Sequence, residues 1–183
     1  MVRYPCLLAA LLVLSGAPQP APAQDSIVFD GERYARVHRE RQSDGDRMVQ
    51  FVREPETLEN WTRSIAIYRY TMIGNDPNRA AVALRDSVKA ANSDARVQTS
   101  ADPATRGAIV DFLTRPADGR YLEFNVMRYV KDPGGSGLVA FRFAHRFRAA
   151  GKEPPEPFNE SRLSWRNQVA EFELAQIRAA LAD

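Results

Sequence analysis

Between two runs of β-prone residues the chain reads Asp132-Pro133-Gly134-Gly135-Ser136-Gly137, and shorter links of the same kind stand at Pro116-Ala117-Asp118-Gly119 and Ser43-Asp44-Gly45-Asp46. These links constrain the fold more than any other feature. A connection this short joins antiparallel neighbours but cannot carry a strand across a sheet to a parallel partner. Asp-Gly is in addition a strong hairpin signal, because glycine accepts the positive φ that a tight turn requires. The turn at Asp44-Gly45 therefore folds GERYARVHRERQ onto RMVQFVRE, and the later turns string GAIVDFLTR, RYLEFNVMRYVK and LVAFRFAHRFR into neighbouring strands. ARVQTS supplies one more short strand before them.

Between the two β-rich halves, Trp61 to Ile73 alternates. Trp61, Ile65, Ile67 and Ile73 take one parity and Ala66, Tyr68, Tyr70 and Met72 the other, so both faces are apolar and a central strand is expected. Gly74-Asn75-Asp76-Pro77 stops it. Asp76 suits a helix N-cap, where its carboxylate accepts orphan backbone N–H groups, and Pro77 suits the first helical position, which needs no N–H. Ala81, Leu84, Val88 and Ala91 then recur at helical spacing, which predicts a helix over about Pro77 to Ala91. A proline-rich link, GKEPPEPF, introduces a final helix from about Asn159 or Ser161 to Leu181. The expected fold class is α+β: an antiparallel sheet of about six strands, with one inserted helix and one C-terminal helix packed on it.

Two resemblances accompany this pattern. FVREPETLENWTRSIAIYRY, with its Glu56-Thr57-Leu58-Glu59-Asn60-Trp61-Thr62 run, resembles the corresponding stretch of a set of uncharacterised small secreted bacterial proteins; the likeness covers about twenty residues and implies no activity. The order hairpin, strand, helix, several strands, final helix is similar to that of PsbP-like domains, a likeness of topology alone.

At the N-terminus, Arg3 precedes an apolar run from Leu7 to Leu14, and Ala21-Pro22-Ala23 forms an A-x-A cleavage pattern. Residues 1–23 read as a cleaved signal peptide, and residues 24–183 as a single α+β domain. The apolar run is about half the ~20 residues a membrane-spanning helix needs, and no later segment matches it. A periplasmic or secreted protein without a transmembrane segment in the mature chain is expected. Cys6 precedes the apolar run, whereas a lipid-bearing cysteine would follow it. Cleavage would remove this one cysteine, leaving neither disulfide nor thiol chemistry. It would also remove Arg3, so 24 basic residues would face 23 acidic ones, and no large field would draw in nucleic acid or anionic lipid.

For catalysis the parts are thin. His38 and His145 are the two histidines, no H-E-x-x-H pattern exists, and neither a metal nor a cofactor is indicated. His145 shares its parity with Phe141, Phe143 and Phe147 and reads as a hydrogen-bonded core histidine; His38, among Arg36, Arg39 and Arg41, reads as part of a solvated hairpin. No G-x-S-x-G elbow presents a serine. Gly134-Gly135-Ser136-Gly137 leads into a strand rather than a helix N-terminus, unlike a phosphate loop. No catalytic residue stands out, and the chain reads as a non-enzymatic domain that binds a protein or a small ligand. The alternative is a hydrolase-like enzyme using Glu59, Glu123 and His145.

Three groups of residues are candidates for binding. Glu59, Asn60 and Trp61 form either a packed corner, with Leu58 and Trp61 as anchors, or a ligand site. Arg142 and Arg146 share a strand face with Ala140 and Ala144, which reads either as a solvated outer face where charges of both signs balance or, since small residues lie beneath cationic ones, as a shallow groove for an anionic or polar ligand. In the last helix, Trp165, Val169 and Phe172 fall nearly opposite Leu163, Ala170, Leu174, Ile177 and Leu181. One stripe covers the sheet; the first is expected either to meet the N-terminal loop, a second subunit or another envelope protein, or to be buried by GKEPPEPF and the ETLENWT loop folding back.

Overall fold

A computed structural model describes residues 25–41, 44–116, 119–148, 154–155 and 157–182. The expected signal peptide, half of the GKEPPEPF link and the tips of two of the turns lie outside the described residues. The strands are β1 (Ser26–Phe29), β2 (Glu32–Arg41), β3 (Arg47–Arg53), β4 (Arg63–Tyr70), β5 (Arg96–Asp102), β6 (Gly107–Thr114), β7 (Tyr121–Lys131) and β8 (Leu138–Arg148). Helix α1 (Pro77–Ala91) joins β4 to β5, and α2 (Phe158–Glu171) and α3 (Leu174–Leu181) follow β8. One antiparallel sheet results, in the order β1-β2-β3-β4-β8-β7-β6-β5. Two four-stranded meanders meet where β4 pairs β8, in a register running from Arg63 opposite His145 to Tyr70 opposite Leu138.

The expected α+β class is found, with eight strands rather than about six. Asp30 and Gly31 both take positive φ, 52° and 71°, the backbone of a two-residue hairpin turn that matches strand twist. That turn splits off β1 from what reads in the sequence as one long first strand. β4 is central, as its two apolar parities predict, but it is shorter than Trp61 to Ile73. Met72 and Ile73 lie beyond it and are exposed.

Each face of the sheet carries its own cover. On the first face, Phe29, Phe51, Ile65, Ile67, Phe124, Phe141 and Phe143 pack against α2 and α3 in the larger of the cores. On the second face, Ala81 of α1 packs with Ala108, Val110, Met127, Tyr129 and Ala140. α1 touches β5, β6 and β7. It begins as the sequence predicts, with the Asp76 carboxylate accepting from the backbone N–H groups of Asn78 at 2.9 Å and Arg79 at 3.3 Å.

The C-terminal helix is two helices. Phe172 and Glu173 are extended, with ψ of 128° and 127°, and break it. The carbonyl that the break strands at Phe172 accepts from Nη1 of buried Arg128 at 2.8 Å, while Arg128 Nε donates to Asp102 at 3.0 Å. A continuous helix would turn its two apolar stripes in nearly opposite directions. The break turns both inward: Trp165, Val169 and Phe172 of one stripe and Ile177 and Leu181 of the other lie in the same core, and Leu163 is left outside at 59% exposure. The Trp165, Val169 and Phe172 stripe is therefore internal packing, and the expectation that it meets a partner loses its basis.

Ion pairs and hydrogen bonds fix α2 on the sheet. Asp111, on the first face of β6, is 1% exposed and is held by Arg162 Nη2 at 2.5 Å and Arg166 Nε at 3.1 Å. Asp30 in the first turn accepts from Trp165 Nε1 at 2.8 Å and Gln168 Nε2 at 3.0 Å, and its own N–H donates to Gln168 Oε1 at 3.0 Å. Leaving any of these groups unpaired would cost more than its pairing gains, so they set the helix's position as well as supporting it.

Candidate functional site

The residues considered for catalysis do not converge. Glu123 pairs in register with Arg146, and Phe124 with His145, so Glu123 and His145 project from opposite faces of the sheet. Glu59 stands in the exposed loop before β4. There the Thr57 hydroxyl and its own backbone N–H hold its carboxyl below the usual range. Loop 54–62 is tied down instead by Glu56, which accepts from Arg53 Nη2 at 2.9 Å and from the Thr62 hydroxyl at 2.5 Å. Among the described residues no group of three or more His, Cys, Asp or Glu side chains is placed to hold a metal ion.

His145 lies half-buried at the edge of the core, on the face its parity predicts, and it is held by rings rather than by hydrogen bonds. Phe147 lies 4.1 Å away between centroids and Trp165 meets it edge-on at 5.1 Å, while its Nδ1 is buried without a partner among the described residues. Burial first, and the nearby Arg63 and Arg53 guanidinium groups second, lower its pKa to about 4. It is a neutral imidazole at physiological pH.

The second face gathers the other candidates. In register across it run Ser64, Ala144 and Asn125; then Ala66, Arg142 and Met127; then Tyr68, Ala140 and Tyr129. Trp61 is not on the strand but packs over this face against Val52 and Ala144, on the side opposite Ile65 and Ile67. Arg146 is stacked on it, with the guanidinium carbon 3.5 Å from the indole centroid and 4.7 Å from that of Tyr121. Arg146 Nε also donates to Glu123 Oε2 at 2.9 Å, and Asn125 Nδ2 to Glu123 Oε1 at 3.0 Å. Trp61 and Arg146 thus close one end of the face as a packed corner, while Glu59 and Asn60 remain exposed in the loop.

Arg142 differs from Arg146 in what surrounds it. Half-buried, it lies 5.9 Å from the ring centroid of Tyr68, and its Nε is buried with no hydrogen-bond acceptor among the described residues. Tyr68 and Tyr70 stack at 5.6 Å, and Tyr70 approaches Tyr129 at 6.2 Å. Burial first, and then the neighbouring phenols, push the Tyr70 and Tyr129 hydroxyls well above the ordinary tyrosine range, so they remain donors at any physiological pH. None of these three hydroxyls is hydrogen-bonded to another described residue. Next in the chain come exposed Met72 (74%) and Ile73 (47%), and exposed Val82 lies on α1. The sequence places Arg142 and Arg146 on one face; what it does not distinguish is which of them already has a carboxylate.

A protein-family model matches residues 21–176. The chain belongs to that family. Membership is consistent with an uncharacterised bacterial family, as the ETLENWT run suggests, and it brings neither an activity, nor a signal peptide, nor a likeness to PsbP-like domains. No curated protein and no solved structure matches the chain. Among the described residues no helix is long and apolar enough to cross a membrane.

Proposed function

We propose that the protein is an exported, non-enzymatic binding domain of the cell envelope that receives an acidic segment of a partner protein on the second face of its sheet. The observation that carries this reading is Arg142, half-buried and with no acceptor for its Nε among the described residues, set beside three tyrosine hydroxyls that likewise have no hydrogen-bond partner among the described residues. All four groups are donors, and a carboxylate is the acceptor they lack. Met72 and Ile73 add apolar contact beside Tyr70, and Tyr, Met and Arg are the residues that protein interfaces favour. Export rests on Arg3, the run from Leu7 to Leu14 and Ala21-Pro22-Ala23.

A photo-crosslinking residue at Met72 in the producing cells tests the binding surface, with one at exposed Leu163 on the other side of the molecule as control. Crosslinking to one protein from position 72, lost with Arg142→Ser and absent from position 163, supports the proposal. No adduct at 72, or one indifferent to Arg142→Ser, overturns it. In the same cells the envelope form should begin near Gln24 by mass spectrometry; an intact Met1 in the cytoplasm refutes export.

A further inference from the structure

A different cavity, of about 490 Å³, lies on the first face between α3 and the β7–β8 turn. Its polar lining is Arg47, Arg69, Arg178 and Asp132, and its apolar lining includes Val139, Ala175, Ala179 and Leu181. The volume falls within the range of small-molecule sites. Two of these guanidinium groups, Arg69 and Arg178, face one carboxylate, and that carboxylate is already engaged. Asp132 Oδ1 accepts from the Gly134 N–H at 2.8 Å, and its Oδ2 lies 2.9 Å from Arg69 Nε.

The carbonyls at the end of α3, which would repel an anion, are already bound: Leu181 O accepts from Arg47 at 3.1 Å and Ala180 O from Arg39 at 3.3 Å.

The glycines of the turn make room for the cations. A Cβ at Gly134 would stand 3.2 Å from Arg178 Nη2, and one at Gly135 would stand 3.1 Å from Arg69 Nη2. Side chains there would make each guanidinium give way by a few tenths of an ångström. The Gly134-Gly135 pair thus lets two arginines draw close to a backbone turn at the mouth of a half-apolar cavity.

We propose that this cavity binds a small amphipathic anion, a carboxylate or phosphate monoester whose head group meets Arg69 and Arg178 and whose short hydrocarbon body lies along Val139, Ala179 and Leu181. Arginine forks match both head groups bidentately, and the apolar wall supplies the burial that inorganic phosphate could not use. The site is on the opposite face from Arg142 and stands independently of the partner surface proposed above.

The test uses the full exported protein in calorimetric titrations with octanoate and octyl phosphate, with 1-octanol and inorganic phosphate as the tail and the head alone. Saturable one-to-one binding of both octyl anions is expected, at least tenfold tighter than either control. Arg178→Met should weaken it about tenfold. Arg142→Met should leave it unchanged. Octanol binding as well as octanoate overturns the anionic half of the proposal, and inorganic phosphate binding as well as octyl phosphate overturns the apolar half. Failure of both octyl anions to bind the unaltered protein, or octanoate binding sensitive to Arg142→Met and indifferent to Arg178→Met, overturns the site itself.

Discussion

Replacing Arg128 by Met probes the joint that sets the C-terminal helices. Arg128 is 3% exposed and Asp102 6%. Besides Arg128, the Asp102 carboxylate keeps the hydroxyl of Thr105. Removing one partner of a buried ion pair costs about 3–5 kcal/mol, because the remaining charge stays desolvated. The Phe172 carbonyl, which accepts from Arg128 at 2.8 Å, loses its donor as well, and an unsatisfied buried acceptor costs about 1–3 kcal/mol. The Thr105 hydroxyl offsets part of the first term and methionine fills most of the vacated volume, so the expected loss is about 4 kcal/mol. That is a large share of the ~5–15 kcal/mol that holds a domain folded.

Urea unfolding followed by the fluorescence of the two tryptophans measures it. The double variant Arg128→Met with Asp102→Asn leaves no buried charge and should recover about 2 kcal/mol of that loss. A loss under 1 kcal/mol for Arg128→Met with an unchanged denaturant slope would refute the reasoning. So would a double variant less stable than the sum of the single ones.

His145 is held neutral in the fold, with a pKa of about 4 against an ordinary 6.5. The stability it contributes is complete above pH 6.5 and is lost as the pH falls toward 4, by at most about 3 kcal/mol at 1.36 kcal/mol per unit. Replacing it with Leu should flatten the urea midpoint across that interval, and parallel pH profiles for the two proteins would contradict this. Trp61→Ala should destabilise by about 3–5 kcal/mol, since it removes a large buried ring and leaves Arg146 without its stacking surface. Asn60→Ala should stay within about 0.5 kcal/mol, and an unchanged melting temperature for Trp61→Ala would make the indole a recognition residue instead. Asp76→Ala, at the N-cap of α1, should cost about 1 kcal/mol in the same titration.

What was legible in the sequence was local. Asp76-Pro77 marks the start of α1 because capping is settled within one turn, and the glycine-rich links mark hairpins because positive φ belongs to a single residue. Asp30-Gly31 carries the same chemistry, yet it sits inside a continuous β-prone run that hides it. The break at Phe172 has no local sign, because neither Phe172 nor Glu173 is a helix breaker; the carbonyl it exposes is satisfied by Arg128, far away in the chain. Arg142 and Arg146 are equivalent in alternation along β8, and they separate only when β7 brings Glu123 beside one of them. The second face was visible as a pattern of parities, but its uncompensated arginine was not.

The seam between β4 and β8 has a kinetic consequence. Within each meander every strand pairs with the next, so short loop closures can build either half on its own. The seam joins residues as distant in sequence as Arg63 and His145, and it cannot form until the last strand of the second meander exists. Such non-local pairing is slow. Until then β4 is an open edge flanked by Ile65 and Ile67, the kind of edge that recruits other chains. Joining the two meanders, rather than closing either, is the step at which this topology is most exposed to misassembly.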